Sequence, residues 1–270
     1  MQVPRTLPQN GGMLPAVRNA VAVTSAKGGV GKSTVCVNLA LSLANMGAKV
    51  GILDADIYGP SIPMMMGSRE LPEMGAGDKI LPILKHGVAL MSVGFVTEQE
   101  TPVVWRGPLL AQAVQHFLAQ VEWGELDFLL IDLPPGTGDI PLTLSQQIAL
   151  SGVVVVTTPQ DVALEDVERG IAMFERVEVD VIGLVENMSY FICPHCSEEH
   201  EIFGRHGGRE MAAKLNLRFL GEIPLEPGIR AGGDRGEPVV LTSAEAEESR
   251  VFGQIATGIV EEIHALAEDG

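Results

Sequence analysis

Short, nearly unbroken apolar runs recur along the chain: AVAVTS (20–25), KVGILDAD (49–56), ALMSV (89–93), DFLLID (127–132), GVVVVTT (152–158) and DVIGLVEN (180–187). Runs of Val, Ile and Leu without polar alternate positions are the pattern of strands covered on both faces in a parallel sheet. Between them, helical patterns lie over 32–46, 107–122, 141–150, 163–177, 205–215 and 243–267. Strands and helices alternating in this order predict an α/β fold built on a doubly wound, mostly parallel sheet. With 270 residues, 46% of them apolar, the chain can close one large core, and a single domain is expected over 20–268. Residues 1–19 carry Pro and Gly and are read as a flexible arm; GSRELPEMGAGDKI (67–80) is read as an exposed loop.

The formal charge of −17 changes the picture first by exclusion. Binding to a phosphate backbone draws on clustered Lys and Arg that release counterions, and no basic run occurs here, so no nucleic acid partner is expected. No apolar run approaches the ~20 residues of a membrane span, and no secretory signal is visible, so the chain is expected to be cytoplasmic. The last helix, ending VFGQIATGIVEEIHALAEDG, has acids and one histidine where an interfacial helix would carry Lys and Arg; packing on the sheet is expected, not membrane docking. In a reducing compartment the three cysteines stay reduced, and a close pair points to metal or redox chemistry.

TSAKGGVGKST (24–34) lies between the first strand and the first helix. Strand, glycine loop and helix N-terminus in succession aim backbone N–H groups at phosphate. Set against G-x-x-x-x-G-K-[ST], Gly31, Lys32 and Ser33 fit, Ala26 stands in place of the first glycine, and Lys27 is an added lysine. Ala26, Lys27, Gly28, Gly29, Val30, Gly31, Lys32, Ser33 and Thr34 are therefore the candidate nucleotide-binding segment. Lys32 is placed on the β/γ-phosphates and the Ser33 hydroxyl on Mg²⁺. Asp132, at the end of DFLLID, is a candidate for the magnesium shell. Asp54 and Asp56 follow another strand; one is expected at magnesium and the other at the attacking water, and their spacing does not divide the roles. In PPGTGD, Gly136 and Gly138 can approach a γ-phosphate closely and move when it leaves.

KGGVGKS resembles the variant phosphate loop of the MinD/ParA/nitrogenase-iron-protein class of P-loop ATPases, in which the first glycine is absent and the extra lysine is a signature. The resemblance implies a homodimer that sandwiches nucleotide, with Lys27 reaching the partner's ATP. A cation supplied by a second chain would stabilise the transferring phosphoryl group, as an arginine finger does.

Cys193 and Cys196 form a C-x-x-C pair in YFICPHCSEEHEIFG, whereas Cys36, between two valines of the first helix, reads as a packed thiol. Three readings of the pair stand side by side. A redox dithiol favours a helix N-terminus, but this pair follows a strand. Zinc could recruit His195, His200 and His206, although C-x₂-C-x₃-H-x₅-H has a much shorter central gap than the usual finger. A [4Fe-4S] cluster takes four thiolates, which two chains meeting on a two-fold axis would supply.

DADIYGPSIPMMMG, WRGPL, IDLPPGTGD, VENMSYFICPHC and GEIPLEPGIRAGGDRGEPV together resemble the Mrp/ApbC family of iron-sulfur cluster carrier ATPases over about residues 20–260. The resemblance implies that Cys193 and Cys196 hold a labile [4Fe-4S] cluster bridging two subunits, received from cluster donors and passed to recipient apoproteins. It also implies that Asn187 and the Pro224 region lie near the adenine. Many bacterial members carry a further small N-terminal domain, where about 19 residues precede the first strand here. Two other functions keep a place: a MinD/ParA-like spatial-organising ATPase, and a zinc-stabilised nucleotide switch.

Overall fold

Strands β1 (Val17–Thr24), β2 (Val50–Asp54), β3 (Ile83–Lys85), β4 (Val88–Ser92), β5 (Leu126–Asp132), β6 (Gly152–Thr157), β7 (Val181–Glu186) and, last in the chain, β10 (Phe219–Glu222) form one sheet. Its order is β10-β7-β6-β1-β5-β2-β4-β3, with β8 (Phe191–Ile192) and β9 (Glu199–His200) paired apart from it. Every pairing in the large sheet is parallel except β3 with β4. The computed structural model describes residues 3–7, 13–97, 107–136, 142, 143, 145, 148–243 and 245–269.

All six apolar runs are strands, and β2, β4 and β6 are buried along their whole length. Covering both faces explains why no polar position interrupts them. The cover comes from helices α1 (Lys32–Asn45), α2 (Ile62–Met65), α3 (Gly94–Thr97), α4 (Gly107–Gln120), α5 (Asp161–Arg176), α6 (Gly207–Lys214), α7 (Pro227–Arg235), α8 (Val239–Thr242) and α9 (Glu247–Asp269). Of the helix expected over 141–150, residues 142, 143 and 145 are helical, 148–150 are not, and the rest lie outside the described residues. The 67–80 stretch holds a single 3-10 turn, Ala76–Asp78, and an isolated bridge between Met74 and Ile80.

The last helix packs as its pattern predicts. Phe252, Ile255, Ala256, Ile259 and Ile263 recur on one face of α9 and are buried, against α1, β7 and β10. No helix among the described residues is long and apolar enough to cross a membrane.

The N-terminal segment departs from the expected arm. β1 begins at Val17 rather than at residue 20, and Val3, Leu7 and Leu14 are buried. Asn19 explains the docking: its Oδ1 accepts from Thr6 N and Oγ1, and its Nδ2 donates to the carbonyls of Pro4 and Asp127. Isolated apolar residues among prolines make no period, so this packing leaves no trace in a pattern search.

Register carries the functional consequence. Asp132 stands opposite Val23 of β1 on one side and Asp54 of β2 on the other. The carboxyl ends of the three central strands are thus level, and in open α/β sheets ligands bind in the crevice outside those ends.

Candidate functional site

β1 feeds the loop 25–31, and α1 takes the chain up at Lys32. Gly29 and Gly31 sit at φ +83 and +84, in the left-handed region, and a Cβ on Gly31 would stand 2.3 Å from Asn187 Nδ2. Ala26 does not take a positive φ, so the place where the usual motif has glycine does not need one here. Gly31 caps α1 without a side-chain hydrogen bond, and the first turn carries no acid. The N–H groups there are left for an anion, which is the fit expected of a phosphate cradle. Gly28 and Val30 complete the loop; Val30 is buried and its carbonyl accepts from Asn187 Nδ2 at 2.7 Å.

Around the loop the predicted residues converge. Lys32 Nζ lies 2.6 Å from Asp132 Oδ1 and 3.5 Å from Asp56 Oδ2, and Ser33 Oγ donates to Asp132 Oδ2 at 2.6 Å. Burial works against the Lys32 charge, but Asp132 and Asp56 outweigh it and hold the ammonium above its ordinary value. Burial pushes Asp132 up against the pull of Lys32 and Ser33; a lysine and a hydroxyl on its two oxygens keep it as the pair's anion. The Ser33 hydroxyl beside a carboxylate is a hard oxygen pair, the donor type Mg²⁺ requires. Gly136, at φ +113, donates its N–H to the Ser25 carbonyl at 2.8 Å, tying the loop after β5 to the phosphate loop. Gly138 lies outside the described residues. Gly31, Thr34, Asn187, Met188, Pro224 and Ile229 line one cleft beside α1, so the two residues expected near the base share a wall with the phosphate loop.

The structure separates the two acids that spacing left equivalent. Asp54 is fully buried; its Oδ1 accepts from Asp56 N, and its Oδ2 from Ile62 N and Ser92 Oγ. Asp56 faces Lys32. Asp54 therefore braces the β2 end and the start of α2, while Asp56 stands beside Lys32 in front of the loop. Burial, with the Asp132 charge beside it, raises the Asp54 carboxyl from 3.8 to about 7. A folded-state value above the unfolded one means its contribution is full below about pH 4 and is lost as pH rises through about 7. Asp54→Asn is expected to flatten the loss of unfolding free energy between about pH 4 and 8, measured by urea denaturation. An unchanged slope contradicts this assignment.

Lys27 sits apart from Lys32. Its Nζ donates to the Val162 carbonyl and pairs with Asp166 Oδ2 at 3.0 Å, both on α5 of the same chain. That hydrogen bond holds the Asp166 carboxyl below its ordinary range. Cys36 is fully buried, and burial pushes its thiol well up, as befits a packed side chain.

Cys193 and Cys196 occupy the turn between β8 and β9, Cys196 exposed and both as free thiols. Hydrogen bonds from the Cys196 and His195 backbone lower the Cys193 thiol. His206, a candidate zinc ligand with them, is turned elsewhere: its Nδ1 meets Glu222 Oε1 at 2.9 Å. The zinc set of Cys193, Cys196, His195, His200 and His206 is therefore not assembled, because the Glu222 carboxylate already takes His206 and Arg209. Tyr190 anchors the hairpin base: its hydroxyl donates to Glu247 and its ring lies 4.5 Å under Arg205. Glu186 was missed from the sequence. Buried at the end of β7, it accepts from Ser189 Oγ and from the backbone N–H of His206 and Gly208, capping α6. A lone Glu closing a strand carries no signal of that task.

A phosphate loop with two lysines and strand-end carboxylates on this sheet makes the chain a P-loop NTPase of the MinD/ParA type. The model of the NUBPL iron-transfer P-loop NTPase family matches residues 16–260, and the chain belongs to that family. It is 49% identical over 257 residues to the Arabidopsis thaliana iron-sulfur protein required for NADH dehydrogenase, covering 95% of this chain and 82% of that one. The iron-sulfur cluster carrier protein of Escherichia coli strain K12 is 48% identical over 253 residues, 93% of this chain and 69% of its own. A solved nucleotide-binding protein from Archaeoglobus fulgidus, in complex with ADP, is 40% identical with a TM-score of 0.77, over 88% of this chain and 93% of that one. Pyrococcus furiosus MinD, at 20% identity and a TM-score of 0.69 over 90% of this chain and 98% of its own, shares the fold. The resemblance to the carrier ATPases is thus borne out.

Proposed function

We propose that the chain is an ATP-hydrolysing iron-sulfur carrier that works as a homodimer in a reducing compartment, the cytoplasm in the reading taken here, and passes a bridging [4Fe-4S] cluster to apoproteins. One observation carries this reading. The segment that leaves Asn187, bonded to the phosphate loop at Val30, reaches Cys193 at an exposed turn by way of Tyr190. Nucleotide and thiols are two ends of one short stretch. The carrier and transfer names of the relatives, and the ADP complex of one, support both ends.

In this reading Lys32 leaves Asp132 to meet the β/γ-phosphates, and Asp132 with Ser33 would hold Mg²⁺. Magnesium, when bound, supplies charge neutralisation on the phosphates. Asp56 orients the attacking water, and Lys27 of each chain reaches the other's nucleotide. Gly136 follows the γ-phosphate, and its loss lets the loops relax, which moves the hairpin through Asn187. Two thiolates per chain suit an exposed, labile cargo rather than a resident centre. Cluster-loaded protein mixed with a [4Fe-4S]-dependent apoenzyme is expected to restore the acceptor's activity, and to do so faster with MgATP. A cluster that stays on the carrier in both conditions contradicts the proposal.

A further inference from the structure

The hairpin turn holds more than two thiols. Cys196 Sγ, a Glu198 carboxylate oxygen and a His200 ring nitrogen all lie within 4.8 Å of one another, and Cys193 lies in the same turn, its N–H donating to the Glu198 carbonyl at 2.9 Å. We propose that Cys193, Cys196, Glu198 and His200 form a single-chain site for one borderline divalent ion, Fe²⁺ or Zn²⁺, separate in kind from a cluster shared by two chains.

Strand alternation gathers the ligands. Glu198 and His200 are two apart and share a side of the strand entering β9, whereas Glu199 between them turns to Arg205. The turn is tight: Ser197 N donates to the Cys193 carbonyl at 2.8 Å, Cys193 N to the Glu198 carbonyl at 2.9 Å, and Ser197 takes φ +58. Two sulfurs, one nitrogen and one oxygen make a donor set of intermediate softness, the kind that zinc and ferrous iron accept. Tetrahedral bonds of about 2.0–2.3 Å place donors about 3.3–3.8 Å apart. Cys196 Sγ and Glu198 Oε2 already stand 3.7 Å apart; the remaining contraction among Cys196, Glu198 and His200, about 1 Å, falls on exposed side chains, and the half-buried Cys193 thiol turns in to complete the set. Binding turns both thiols into thiolates and releases their two protons to solvent.

The ion and the bridging cluster need the same thiolates, so the two states exclude each other. Resting on the carrier reading, the ion competes with the cluster: it leaves, freeing Glu198 and His200, before two chains bring their four thiolates to a ready-made cluster from a donor. Binding of the ion itself does not depend on that reading.

Anaerobic titration with Co²⁺ alone, followed by thiolate-to-cobalt and d–d absorbance and by native mass, tests the site. The wild type is expected to bind one Co²⁺ per chain as a monomer, with the charge-transfer intensity of two thiolates. The Glu198→Ala/His200→Ala variant is expected to bind it more than about tenfold more weakly, with ATP binding unchanged as the check on its fold. One Co²⁺ per two chains with four thiolates, equal affinity in the variant, or no binding by the wild type would each overturn the proposal. Iron and sulfide uptake by the wild type is read separately: uptake of cobalt without any cluster removes the carrier reading and leaves the ion site standing.

Discussion

Lys32→Ala is expected to reduce ATP turnover at least about a hundredfold, because a cation on the transferring phosphates acts chiefly in the transition state. The same change has a second cost that the geometry makes explicit. Lys32 is the only lysine or arginine recorded within ion-pair distance of Asp132 among the described residues, and removing one partner of a buried pair costs about 3–5 kcal/mol. The variant is thus expected to unfold at lower urea as well as to be inactive. Lys32→Ala also removes a cation from the phosphates and weakens nucleotide binding, so at the same MgATP concentration the nucleotide is expected to stabilise the wild type more than the variant. A variant that turns over within tenfold of the wild type contradicts the role given to Lys32.

Lys27→Ala is expected to leave single-chain nucleotide binding intact while turnover falls by at least about a hundredfold and ATP-driven dimerisation is lost. The geometry explains the division of effects, since the Lys27 side chain leaves its loop for Val162 and Asp166 on α5 of its own chain. Its pair with Asp166 is partly exposed, and such pairs contribute about 0–1 kcal/mol. A contact that weak yields readily to a partner's phosphates. Asp166→Asn, which loosens it further, is expected to shift ATP-dependent dimerisation to slightly lower protein concentration in analytical ultracentrifugation. Normal turnover by Lys27→Ala contradicts the in-trans role.

What the sequence disclosed tracks burial on two faces. β2, β4 and β6 are legible because nothing polar can stand in them. β8 and β9, of two residues each, exist only through their pairing, and no run of two residues makes a pattern. The loop between β1 and α1 was legible because its pattern is local: glycines, lysine and serine stand within one turn of the start of α1. The division between Asp54 and Asp56 was not local. It depends on Ser92 and Ile62 claiming one carboxylate and Lys32 facing the other. Asp166 as the resting partner of Lys27 was beyond reach for the same reason, since only the docking of α5 brings the two together. The cysteine pair was visible, and with it His195, His200 and His206; Glu198, which stands with Cys196 and His200, was not, and the turn of His206 to Glu222 depends on the docking of α6.

The shared cluster is the central claim, and anaerobic reconstitution with iron and sulfide tests it most directly, read by visible absorbance, iron and sulfide content and native mass. Wild type is expected to take up four irons and four sulfides per two chains and to run as a dimer. Cys193→Ser/Cys196→Ser, altered only at an exposed turn, is expected to fold, bind nucleotide and take up no cluster. Cluster uptake in that variant equal to the wild type would contradict the account.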